Sequence, residues 1–228
     1  SDLKGAIQSL GFLGVILLTS ISSFYFWHIE NWWAMIGCLF LHGTVTAFCI
    51  NAMHELVHTT VFKTKWLNHF FAGLFSFIGI INHKFFWYSH SEHHKYTLHP
   101  PDDLEVSGDT YRSTKIYFTS FIINFHCYRE FYENIRYAFG KFVGPWEPVV
   151  VPKKAKNRRR EVINWSRWML GGHLLIAVVS LYYGLWIIPI IVTLNVAYGS
   201  WLFYLCNFTQ HSGLTENIDD FRLNCRTT

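Results

Sequence analysis

The sequence predicts an all-α, polytopic membrane protein with two transmembrane helical hairpins, four spans in all, and a cytoplasmic helical segment between them. Three observations predict it: an apolar excess, long stretches without charge, and basic residues gathered on one side of those stretches. Of 228 residues, 51% are hydrophobic and only 15% charged, a balance wrong for an ordinary soluble domain. No Asp, Glu, Lys or Arg occurs at 5–29, at 31–54 or at 168–215. A helix rises about 1.5 Å per residue, so roughly 20 such residues cross a hydrocarbon layer of ~30 Å. Spans are therefore expected at residues 6–27, 32–53, 168–188 and 190–209, the last two joined by a turn around Pro189. A cleaved secretory leader would explain the first apolar run alone and is set aside.

The net charge of +4 does not point to nucleic acid. The basic residues lie almost wholly between Lys63 and Arg167, with Lys4, Arg222 and Arg226 as the others. This is a positive-inside pattern: it puts both ends and the central segment in the cytoplasm and leaves two short outer turns. Those turns carry Trp27, Trp32, Trp33, Tyr182, Tyr183 and Trp186, suited to an aromatic belt. The run Lys153, Lys154, Lys156, Arg158, Arg159 and Arg160 reads as a solvated loop near anionic headgroups. Five cysteines, an odd count without short metal spacing, give neither a disulfide framework nor a thiolate metal site.

Without repeats or low-complexity linkers, residues 1–228 read as one domain. The apolar stretch 66–87 contains Asn68, His69, Asn82, His83 and Lys84. It is expected to lie in, or dip into, the interface, since a crossing there would separate two histidine clusters. At 111–142 aromatic residues alternate with Arg and Glu at helical spacing, which predicts an amphipathic cytoplasmic helix ended by Pro145, Pro148 and Pro152.

The chemistry sits in the histidines, 13 in all, each of which needs a polar partner near lipid. His54 and His58 follow the second span at a separation of four, on one helical face. His90 lies one turn from both His93 and His94. Asn207 and His211 stand four apart at the end of the last span. With the N-terminus inside, both even-numbered spans end in the cytoplasm, so all six histidines can meet.

The order His-x-x-x-His, His-x-x-His-His and then a lone His after a second hairpin resembles the membrane fatty acid desaturase superfamily, which includes alkane hydroxylases. Asn207 and His211 are similar to the element that acyl-CoA desaturases place at their metal site, and Asn51-Ala52-Met53 and Tyr96-Thr97 resemble the box surroundings of bacterial members. The resemblance implies two non-haem iron ions held by His54, His58, His90, His93, His94 and His211. Asn207 would be a direct or water-mediated ligand, and Glu55 and Glu92 would orient the rings. It further implies O₂-dependent insertion of a double bond into a long-chain fatty acyl group, with chain hydroxylation as the alternative. No His-Pro-Gly-Gly haem signature is present, so the electron donor is expected to be a separate protein such as ferredoxin, cytochrome b5 or a reductase. Members of the superfamily carry a third histidine box after the second hairpin, and nothing after His211 matches it. The expectation is a fragment inactive without that box.

Two other classes compete. His54-Glu55-x-x-His58 is also the zincin pattern, for which Asp102 or Asp103 would be the best third ligand. A transport or structural protein could let its histidines satisfy one another. Outside the boxes, His28, His42, His69, His83, His99, His126 and His173 are expected in partnered structural or interfacial roles.

Overall fold

A computed structural model describes residues 1–105, 124–211 and 213–220, the side chains of 125, 126 and 208–211 excepted. Among the described residues the secondary structure is helical, without strands. Among the described residues three helices are long and apolar enough to cross a membrane, Asp2–His28, Trp32–Val57 and Lys156–Tyr182, and the bent pair Lys65–Ile78 with His83–Tyr96 is so only when taken together. Their outer faces expose Leu10, Leu18, Ile21, Leu174, Leu175 and Val178, each more than half accessible. Such contiguous apolar surface is stable only against lipid.

The first hairpin matches the expected spans. Helix α1 (Asp2–His28) turns at Glu30, which takes a positive φ of 57°. Asn31 then caps the next helix by accepting from the Ala34 N–H at 3.2 Å. That second span consists of α2 (Trp32–Thr46) and α3 (Cys49–Val57), with a short irregularity at 47–48. At the far end the Asp2 carboxylate accepts from the backbone N–H of Lys63 and Thr64 and from the Thr64 hydroxyl, at 2.6, 3.1 and 2.7 Å. The start of α1 and the residues just beyond His58 therefore sit together.

Residues 65–96 form α4 (Lys65–Ile78) and α5 (His83–Tyr96), bent by 108°. At ~1.5 Å per residue, neither 14-residue helix spans a bilayer alone. Asn82 makes the corner: its Oδ1 accepts from Phe85 N–H to cap α5, and its amide donates to Val162 O and Ser166 Oγ.

Of the expected helix at 111–142, residues 111–123 lie outside the described residues; within the remainder the helix is α6 (Phe125–Ala138). It stops at Gly140, φ 70°, where Gly140 and Lys141 donate back to Tyr137 O and Arg136 O. This glycine cap, rather than the three prolines, ends the helix. Pro148 lies in the first turn of the short helix α7 (Glu147–Val150).

The second hairpin departs most from expectation. Helix α8 (Lys156–Tyr182) begins twelve residues earlier than the expected span, taking in Arg158, Arg159 and Arg160. Its turn is at Gly184, φ 71°, not Pro189. Pro189 falls in the first turn of α9 (Ile187–Val192), where its missing N–H costs nothing. The expected continuous span at 190–209 is broken into α9, a 3₁₀ turn (Asn195–Ala197) and α10 (Trp201–His211).

The break has a packing cause. A Cβ on Gly43 would strike the carbonyl oxygen of Tyr198, and Gly199, φ 73°, abuts the Phe40 carbonyl. Backbone thus docks on backbone. Gly43→Ala should cost about 1–3 kcal/mol, the usual range for overpacking, read as a lower thermal midpoint in detergent. Gly37→Ala, whose Cβ meets nothing within 4 Å, should not lower it.

Two buried histidines tie the spans together, as expected of His42 and His173. His42 lies 2.8 Å from Thr19 Oγ1 and 3.0 Å from Ile191 O. His173 lies 3.0 Å from both Thr193 Oγ1 and Phe77 O. Each joins three chain segments that apolar contacts alone would leave free to slide.

Candidate metal centre

Helical spacing brings the first histidines together. His54 on α3 and His58, the residue that ends it, stand one turn apart with ring centroids 4.8 Å from each other. On α5, His90 and His94 are likewise one turn apart, with centroids at 4.4 Å. The bend between α4 and α5 then lays one pair against the other. His90 Nε2 lies 2.8 Å from His54 Nε2 and 2.9 Å from His94 Nε2, and the rings of His58 and His94 are 5.2 Å apart. One ring nitrogen from each of the four lies within 4.8 Å of all the others. Both boxes are therefore at one end of the molecule.

These separations suit a metal. At metal–imidazole distances of ~2.1 Å, adjacent nitrogens around one ion stand about 3 Å apart, close to the two shortest contacts here. The ligand-competent form is the neutral ring. Burial, then the neighbouring charges of His54, His90 and His94, lowers the pKa of His58 below the ordinary imidazole value. Aromatic rings wall the group: Phe86 stacks on His90 at 5.0 Å, and Trp87 meets His58 edge-on at 5.7 Å.

Carboxylates fix the rings from behind. Glu55 accepts from His54 Nδ1 at 3.0 Å with its own side chain 61% exposed. Glu92, also expected to orient a ring, is instead paired with Lys95 at 3.0 Å. The ring-orienting positions on the second box are taken by two residues that the sequence did not single out for this role. Glu105 accepts from His90 Nδ1 at 2.6 Å, and Asp103 from His93 Nδ1 at 2.7 Å. Both come from the loop after α5, and neither has a recognisable spacing to its histidine. Asp103 also accepts from the backbone N–H of Leu98 and Glu105 at 2.8 and 3.0 Å. Burial raises its pKa, but the His93 bond and charge and these N–H groups outweigh that and hold the carboxyl below its usual range. Leu98 itself is at φ 58°, a left-handed conformation costly for leucine.

His93 is buried beside the four, its ring centroid 5.6 Å from His90 and 6.0 Å from His94. Asn207 lines a separate feature, an apolar cavity of about 460 Å³. Ile50, one turn before His54, is in the wall of the same cavity, as are Thr46, Ile81, Leu194 and Phe203. Among the described residues none of the clustered histidines lines it. His211 ends α10, and its side chain lies outside the described residues. For a zincin, the best acidic third ligand offered by the sequence was Asp102 or Asp103; Asp103 is engaged with His93, and His90 and His94 occupy the space facing His54 and His58.

The family model for fatty acid desaturase matches residues 30–228. No curated protein and no solved structure matches the chain.

Proposed function

Because the chain belongs to the fatty acid desaturase family, we propose that this membrane oxidoreductase inserts a double bond into a long-chain fatty acyl group, using O₂ and electrons from a separate protein donor. The observation that carries the reading is the meeting of both boxes: His54, His58, His90 and His94 present nitrogens to one point. Imidazole-rich, thiolate-free donors suit non-haem iron. What a pair of iron ions supplies when bound is O₂ activation strong enough to remove hydrogen from an unactivated methylene.

The ligands proposed are these four with His93 and His211, and Asn207 directly or through water. Contacts of α10 support His211. Trp201 Nε1 donates to Thr44 Oγ1 and Phe203 packs on Phe48 at 6.1 Å, so α10 runs alongside the second span in the same direction. Continuing to residue 211 advances it about 12 Å beyond Phe203, toward the level of His54.

The protein's own share is orientation and exclusion of water. Glu55, Glu105 and Asp103 accept the Nδ1 protons of His54, His90 and His93, which leaves each Nε2 lone pair free to take a metal; those of His54 and His90 already face each other at 2.8 Å. The 460 Å³ cavity is of ligand size and would hold the acyl chain, with Asn207 and Ile50 at its wall linking it to the metal end. The charge pattern puts the boxes on the cytoplasmic side, where the donor docks. Overall, two hydrogens leave adjacent carbons and, with two electrons and two protons from outside, reduce O₂ to two waters.

The test is gas chromatography of lipids from cells expressing the full-length protein, with metal analysis of the purified enzyme. A new alkene and bound iron are expected. A new alcohol would make it a chain hydroxylase, and bound zinc without a lipid product would overturn the reading.

A further inference from the structure

The side of the second box facing away from the metal end contains a chain of contacts that none of the ligand assignments uses. Glu105 is only partly accessible, its side chain 16% exposed, against 10% for His90. One carboxylate oxygen accepts from His90 Nδ1 at 2.6 Å, and the other accepts from the Ser89 hydroxyl. Ser89 Oγ in turn accepts from the indole Nε1–H of Trp146 at 2.8 Å. Ser89 and Trp146 are 4% and 9% exposed. Trp146 belongs to the apolar cluster of Tyr137, Val150, Val151 and Val162, so the relay ends in packed core rather than solvent.

The three bonds are directional. Trp146 can only donate, so the Ser89 hydroxyl hydrogen is left to point at Glu105, and the remaining carboxylate oxygen is left for His90. Each member thereby fixes the next, and the low dielectric strengthens the chain. His54 differs: its partner Glu55 is 61% exposed and among the described residues has no such backing.

We infer that Glu105, locked by Ser89 and Trp146, is a positioning residue that fixes the tautomer and ring angle of His90 and so couples metal affinity to the cytoplasmic core around Trp146. The inference rests on the proposed metal centre. Orienting carboxylates of this kind are worth about ten- to a hundredfold in metal affinity. The relay predicts a graded series. Glu105→Ala should weaken binding by that factor. Glu105→Gln, which still offers an oxygen to His90 Nδ1–H, should lose less. Ser89→Ala, which leaves Glu105 in place but unlocked, should weaken binding by at most about tenfold.

The experiment titrates Co²⁺, a spectroscopic probe with no need of turnover, into the full-length protein in detergent. It follows the visible d–d bands and the Trp fluorescence, with circular dichroism of the metal-free variants as the folding control. The expected result is the order wild type, Ser89→Ala, Glu105→Gln, Glu105→Ala in weakening affinity, with an altered d–d spectrum in the Glu105 variants. A purely structural role would shift circular dichroism or thermal midpoint without altering the bands. Folded Glu105→Ala and Ser89→Ala proteins that bind Co²⁺ with wild-type affinity and spectrum overturn the relay while leaving the metal centre standing. A wild-type protein that binds no Co²⁺ overturns both. Should Glu105→Ala not fold, Ser89→Ala and Glu105→Gln decide the matter.

Discussion

Replacing His90 with alanine is expected to abolish product formation and to strip iron from the protein while leaving its helices in place. Among the described histidines His90 is central: its Nε2 lies within 2.9 Å of both His54 and His94, and its ring is 5.2 Å from that of His58. Its loss would remove a proposed ligand and the ring against which His54 and His94 are placed. The effect on affinity should exceed the about ten- to hundredfold expected for an orienting carboxylate alone, because the donor atom itself is gone. Product analysis, iron per polypeptide and circular dichroism measured on one preparation separate the outcomes. Undiminished turnover would remove His90 from the site, and loss of helicity would assign it to folding instead.

The largest effect on stability is expected from Asp103→Ala. Asp103 is 2% exposed and receives bonds from His93 Nδ1 and from the N–H groups of Leu98 and Glu105. Its removal takes away the acceptor of two buried donors and one half-buried one, and Leu98, one of the buried two, stands at φ 58°, a conformation costly for leucine. Leaving a buried donor unsatisfied costs about 1–3 kcal/mol. The thermal midpoint of the detergent-solubilised protein should fall accordingly, and Asp103→Asn, which can still accept from an N–H, should recover part of the loss. Equal midpoints for Asp103→Ala and wild type would show that the loop is held some other way.

How far the candidate site could be read from the chain depended on distance along it. His54 with His58, and His90 with His94, share helical faces because four residues make about one turn, so local spacing announced both pairs. Glu55 was adjacent to its histidine and could be suspected. Glu105 and Asp103 lie 15 and 10 residues from the rings they orient, in a loop whose path no periodicity encodes. Glu92, which had the better spacing, was drawn instead to Lys95, its neighbour one turn on. Trp146 is 57 residues from Ser89, beyond any local signal.

The same division runs through the fold. Composition and the placement of charge were enough to determine that the chain lives in a bilayer and where its first hairpin turns, and residue spacing which histidines share a helical face. These follow from solvation and from the 3.6-residue turn, and each residue carries that information by itself. Only the tertiary structure decided that residues 190–209 break rather than run through, that α4 and α5 fold back at 108° to bring the boxes together, and which carboxylates stand behind the rings. Those outcomes depend on Gly43 meeting Tyr198 and on Asn82 reaching Ser166, contacts between distant segments whose energies exist only once the chain has packed.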